Sequence, residues 1–266
     1  MTESRIERAF NLLRGSGQKG FIPFITAGDP NLESTLELLL MLAEEGATVI
    51  ELGIPFSDPM ADGVVIQRAS DRALRNFFHL EDVFRIVSNF RRRAETPLIF
   101  FSYLNPIFQY GFERFCKEAK LSGADGILIT DLIPEESDDF ISVARKSGLD
   151  VIFLAAPTSS DERLKMIAKR SSGFIYAVSR TGVTGMSKNL SQEVKDLVLR
   201  IKKLSSLPVA VGFGVSNREQ IEDIWQFADA AVVGSAIVKR IEDIGSDSRL
   251  VEGVRDFVRG LLRNKR

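Results

Sequence analysis

The sequence predicts an α/β protein, a single (β/α)8 barrel in which eight parallel strands are each followed by a helix. Three observations carry this expectation. Eight short apolar runs are bounded by turn residues, amphipathic stretches of helical period lie between them, and the 266 residues match the roughly 250 of one such barrel. The runs cover 21–27, 48–54, 97–104, 126–130, 150–156, 174–178, 208–212 and 230–234. They are rich in Val, Ile and Phe and mostly continuous rather than alternating, as parallel strands covered on both faces must be. No linker or compositional break divides the chain, so residues 1–266 are expected to form one domain. No Gly-x-Gly-x-x-Gly follows the first run, which weighs against a dinucleotide fold.

Two helices are expected beyond the repeating pattern. One spans 4–13, where Ser4 and Glu7 have capping-box spacing. The other lies in the long segment between the second and third runs. The stretch 31–45 carries Leu32, Leu36, Leu39, Leu40 and Leu42 on one face. Residues 134–147 open with Pro-Glu-Glu-Ser, as a helix start should. The cluster Arg91-Arg92-Arg93 ends a helical stretch, where cations suit the helix dipole.

Composition narrows the function. Charges nearly cancel, with 35 basic and 36 acidic residues, so nothing suggests a nucleic-acid surface or a charged tail. The first fourteen residues read as a charged amphipathic stretch rather than a signal peptide, and no apolar run reaches the ~20 residues that span a bilayer. A lone Cys116, set among Phe112, Phe115 and Ala119, reads as packing and fits a reducing cytoplasm. The single histidine, His79, allows no His-pair metal site and reads as structural. No lysine falls in a strand run, which disfavours a Schiff-base aldolase.

In such barrels the chemistry gathers at the C-terminal ends of the strands. Glu51 lies inside the apolar second run. Burial raises a carboxylate's proton affinity and suits it to proton transfer, although an acid that only pairs to close the barrel is the alternative. Asp62 follows on a Gly- and Pro-punctuated loop, as a second acid or as the cap of the next helix. Asp131 closes the fourth run and has the same two options. Glycines mark the rest of the mouth: Gly182 and Gly185 after the sixth run, Gly212 and Gly214 at the seventh, Gly234 before Ser235 at the eighth. Glycine lets backbone N–H groups approach an anion, and a helix N-terminus adds a favourable dipole, so a phosphate site is expected here.

These segments resemble one family, the tryptophan synthase alpha chain. The stretch ELGIPFSDPMADG at 51–63 is similar to the family's most distinctive segment. FIPFITAGDP at 21–30, SRTGVTG at 179–185, GFGV at 212–215 and GSAIV at 234–238 match in order. The resemblance implies a TIM barrel that cleaves indole-3-glycerol phosphate to indole and glyceraldehyde 3-phosphate by a retro-aldol step in L-tryptophan biosynthesis. It makes Glu51 the general acid/base and sets Asp62 against the indole N–H. Gly185, Gly214, Gly234 and Ser235 receive the phosphate. Phe24, Tyr103, Leu128, Thr130, Leu154, Tyr176 and Phe213 line the indole slot. Thr184 orders Asp62 as its loop closes, and Asp131 positions. The resemblance also implies a pyridoxal-phosphate beta chain in an α2β2 assembly, contacted through Pro55, Phe56, Asp58 and the Asn105-Pro106 turn, with no cofactor in this chain. Val64, Arg68, Thr130, Ile133 and the stretch 186–189 depart from the usual pattern without removing a catalytic group. Two rival expectations remain: a catalytically weak subunit that mainly binds and activates its partner, and another phosphate-binding barrel such as an isomerase.

Overall fold

The computed structural model describes residues 3–76, 79–178, 188–212 and 214–262. Its parallel strand segments are β1 (Gly20–Thr26), β2 (Ile50–Gly53), β3 (Leu98–Ser102), β4 (Gly126–Ile129), β5 (Asp150–Ile152), β6 (Leu154–Ala155), β7 (Ile175–Val178), β8 (Val209–Gly212) and β9 (Ala230–Val233). Their order in the sheet is β5-β4-β3-β2-β1-β9-β8-β7-β6. Only Phe153 separates β5 from β6, so the two ends of that order are one strand, and the sheet closes on itself. The Tyr176 N–H donates to the Phe153 carbonyl at 3.1 Å across the junction. The eight runs of the sequence are therefore the eight staves of a barrel.

Alternation along each strand sorts the apolar residues into two cores. Ile25, Ile50, Leu52, Phe100, Ile127, Val211 and Val233 face outward and pack under the helices. Ile22, Val49, Ile99, Leu128, Ile152, Phe174, Tyr176 and Val232 fill the interior. Glu51 has the parity of Val49 and so points into the barrel.

The N-terminal helix Arg5–Ser16 closes the far end of the barrel. Ser4 caps it, accepting from the Glu7 N–H at 3.1 Å, and its buried Ile6 and Phe10 join the interior core. Phe10 meets Phe174 with ring centroids 5.8 Å apart. The cluster at Arg91 does more than the sequence suggested. The Arg91 guanidinium reaches the Asp125 carboxylate at 2.8 Å, Arg5 reaches it at 3.1 Å and the Leu98 N–H at 2.9 Å. Asp125 is buried, and removing it leaves the 12% exposed side chain of Arg91 without its counter-charge, bonded only to the Ala94, Thr96 and Gly123 carbonyls. Asp125→Ala is expected to cost about 3–5 kcal/mol in denaturant unfolding, with little change in activity, because this end carries stability rather than chemistry.

Between β2 and β3 lie two helices, Val64–Leu74 and Leu80–Arg91. The His79 N–H donates to Asp82 at 3.1 Å at the start of the second, so His79 stands at a helix entry. Cys116 is buried in the helix Phe112–Ser122, and burial pushes its thiol up to about 12. The helix Leu32–Glu44 begins at Asn31, whose side chain accepts from the Ser34 N–H. It buries Leu38, Leu39, Met41 and Leu42, while Leu32, Leu36 and Leu40 lie at the edge of the core. The stretch 134–147 differs from expectation. Pro134–Glu136 forms one 3-10 turn and the helix runs only over Asp138–Lys146. No described helix is long and apolar enough to cross a membrane.

Candidate active site

Glu51 sits at the middle of the short β2, paired in register with Phe24 on β1 and Ile99 on β3. It is 1% exposed, and its Oε1 has no hydrogen-bond partner. Burial alone holds its carboxyl well above the ordinary carboxylate range. An acid that served only to close the barrel would need a cation, and among the described residues none is bonded to it. Glu51 is a desolvated acid whose surroundings favour its protonated form.

Asp62 lies beyond β2 on the loop that leads into the helix Val64–Leu74. That helix starts at Gly63 without a side-chain cap, so the capping role does not belong to Asp62. Burial pushes Asp62 up to about 6, while a hydrogen bond from the Tyr103 hydroxyl acts the other way. The same hydroxyl accepts from the Ala61 N–H at 2.9 Å. Tyr103, expected only as a slot-lining residue, thus holds the Asp62 loop through its bond to Ala61. Phe56 packs on it with ring centroids 5.3 Å apart. Asp131 is exposed, and its Oδ1 accepts from the Leu104 N–H at 2.7 Å. It caps the preceding helix Leu104–Tyr110, which places Tyr103 at that helix's entry. Thr130 donates to the Ser102 carbonyl at 3.2 Å.

Two glycines leave room for aromatic rings. A Cβ at Gly53 would lie 2.6 Å from Phe24 Cζ, and one at Gly212 would lie 2.1 Å from the Tyr176 hydroxyl. Tyr176 is buried, and burial together with the charges of Glu51 and Asp62 raises its hydroxyl's proton affinity. Tyr176 therefore lies within electrostatic reach of both acids. Phe24 meets Phe101 edge-on at 5.2 Å, and its Cβ would be 3.5 Å from a Cβ at Gly234. One ring thus bridges the end of the Glu51 strand and the start of the helix Ser235–Ile244. Leu128 and Leu154 complete the apolar wall.

The helix Ser235–Ile244 begins at Gly234 with no side-chain cap. Its first N–H groups face the rim of the barrel, where an anion would satisfy them. Gly214, at φ 55, follows β8 on the neighbouring loop and is exposed. Gly185, Thr184 and Phe213 lie outside the described residues. One inward group escaped notice in the sequence. Thr26, at the end of β1, is 2% exposed, and its Oγ1 has no partner among the described residues. Its run looked wholly apolar, but the strand parity it shares with Phe24 would have marked it.

Raised acids and an uncapped helix gathered at the C-terminal end of a closed parallel barrel are the setting in which barrel enzymes carry their chemistry. Comparison with known proteins makes the assignment particular. Residues 10–261 match the family model for the tryptophan synthase alpha chain. The alpha chain of Polynucleobacter necessarius is 47% identical over 96% of this chain and 97% of its own. Among solved structures, the alpha subunit from Legionella pneumophila is 39% identical with a TM-score of 0.90, over 98% of this chain and 97% of that one. The chain in a tryptophan synthase α2β2 complex from Pyrococcus furiosus is 46% identical with a TM-score of 0.85, over 91% and 97%. The chain belongs to the tryptophan synthase alpha chain family, a family of carbon–carbon lyases of tryptophan biosynthesis that cleave indole-3-glycerol phosphate.

Proposed function

We propose that Glu51 and Asp62 carry out the retro-aldol cleavage of indole-3-glycerol phosphate in this barrel. The observation that supports this most is Glu51, a buried carboxyl on an inward position of β2 whose Oε1 has no partner among the described residues. Cleavage delivers a proton to indole C3 and breaks the bond from C3 to the glycerol chain. The bonding electrons stay with the ring. The adjacent hydroxyl loses its proton as it becomes the aldehyde of glyceraldehyde 3-phosphate. Protonated Glu51 supplies the first proton and, once ionised, can take up the second. Asp62, ionised, accepts from the indole N–H and offsets the positive charge that develops on the ring as C3 is protonated. Tyr103 keeps it in place.

The substrate phosphate is received at the N-terminus of the helix Ser235–Ile244 by backbone groups of Gly234 and Ser235, with Gly214 and Gly185 on the neighbouring loops. Phe24, Tyr176, Leu128 and Leu154 form the walls of the indole slot, with Thr130 and Phe213 beside them, and Thr184 acts on Asp62 during closure. No cofactor is needed for this step within the chain, whose residues 1–266 act as one cytoplasmic domain. Pyridoxal phosphate belongs to a beta chain that docks over the mouth. Exposed Met60 (91%) and Phe108 (63%), on the loop after β2 and the helix after β3, support that docking. Asp58 and Asn105 are exposed nearby, whereas Pro55 is buried within the chain.

Indole release from indole-3-glycerol phosphate tests the assignment, with and without a beta chain. Because Asp62 must be ionised and stands at about 6, kcat/KM is expected to fall as pH drops through that value. Asp62→Asn should remove this acidic limb and lower the plateau. An unchanged limb would show that another group titrates.

A further inference from the structure

Behind the rim, a chain of charged side chains joins the loop after β1 to the helices Val64–Leu74 and Ser235–Ile244. Asp29, three residues past β1, is buried. Arg72, in the helix Val64–Leu74, grips its two carboxylate oxygens through Nε and Nη2, both at 2.8 Å. The other arm of Arg72, Nη1, reaches Glu242 Oε1 at 2.7 Å. Arg68, one turn earlier in the same helix, holds Glu242 in a second fork at 2.6 and 2.7 Å. Lys239 lies 3.8 Å from Glu242. Hydrogen bonding from Arg68 holds Glu242 down to about 2, so it stays ionised throughout the working range. Two planar forks and one shared carboxylate fix orientation as well as distance.

The two helices so joined carry the two ends of the proposed site. Val64–Leu74 starts directly after Asp62-Gly63, and Ser235–Ile244 starts directly after Gly234. None of the four linked side chains is in the mouth itself. We propose that Glu242, with Arg68 and Arg72, is a positioning device that sets the span between Asp62 and the phosphate end of the substrate, building on the assignment of those two ends above. Asp29 anchors the device to the loop after β1. A ligand occupying both ends feels the span, whereas a ligand occupying one end does not.

The experiment compares three ligands on the full-length chain by calorimetry: glycerol 3-phosphate, indole, and 3-(indol-3-yl)propyl phosphate, whose chain carries both groups and cannot be cleaved. Glu242→Ala is expected to weaken the bridging ligand by about tenfold or more. Each fragment should stay within about twofold of wild type, the measurement's ordinary scatter, since neither feels the span. Arg68→Ala, at a side chain 44% exposed, should fold normally and show a smaller loss, about threefold, in the same ligand alone. The two losses should not add in the double variant, since both break one link. Equal weakening of bridging ligand and fragment would show local damage and overturn the proposal, as would an unchanged bridging affinity in both variants. Failure of the wild-type chain to bind glycerol 3-phosphate would instead refute the phosphate assignment, and the positioning role with it.

Discussion

Glu51→Gln is expected to lower kcat for indole release by about a hundred- to ten-thousand-fold, the share that a positioned acid or base commonly contributes. The amide keeps the shape of the side chain and removes its proton chemistry. The same substitution should not harm the fold. Glu51 is enclosed, its Oε1 has no partner among the described residues, and burial holds its folded proton affinity well above that of an ordinary carboxylate. The folded chain therefore binds this proton more tightly than the unfolded chain does. For a raised acid the sign is that stability is lost as pH rises from the unfolded value towards the folded one. Glutamine has no such loss. Thermal melts at mildly acid and alkaline pH should show the variant gaining on wild type as pH increases. Retained turnover would remove Glu51 from the chemistry, and parallel melting curves would contradict its burial as the source of the shift.

Gly234→Asp is expected to raise KM for the phosphorylated substrate by about a hundredfold or more, because a fixed carboxylate would compete for the same backbone donors and repel the dianion. Space is not the obstacle. A Cβ at Gly234 would meet Phe24 at an ordinary 3.5 Å, and its φ of −109 is open to any residue. An Asp at this position also suits the helix dipole, so unfolding free energy should change by no more than about 0.5 kcal/mol. Gly234→Ala separates charge from bulk and should cost only a few-fold in KM. If alanine and aspartate are equally damaging, the site is closed by size and the anion assignment at this helix is lost.

Much of this was legible along the chain because it depends on local pattern. Each of the eight runs became a strand, since apolar β-branched segments between turn signals have few other ways to bury themselves. Glu51 stood out because a single carboxylate interrupts such a run, and the glycines stood out because they fall at strand ends. The capping and positioning roles were less legible. Asp131 has the same sequence setting as a cap for the helix that follows it, yet it bonds Leu104, 27 residues earlier. Tyr103 read as an aromatic wall, while its hydroxyl holds the Asp62 loop.

What the sequence by itself determined is the barrel, its eight strand runs, the acid set within the second of them and the family. Period and motif are properties of neighbours in the chain and survive without coordinates. Only the tertiary structure decided which groups share a partner. Arg68 and Glu242 are 174 residues apart, and Arg72 and Asp29 are 43 apart, so no periodicity links them. Closure of the barrel brings β9 beside β1, and that one neighbour relation puts the helix Ser235–Ile244 next to Phe24 and Asp29. The burial of Glu51 is decided in the same way, because it belongs to everything packed around a side chain rather than to the residue itself.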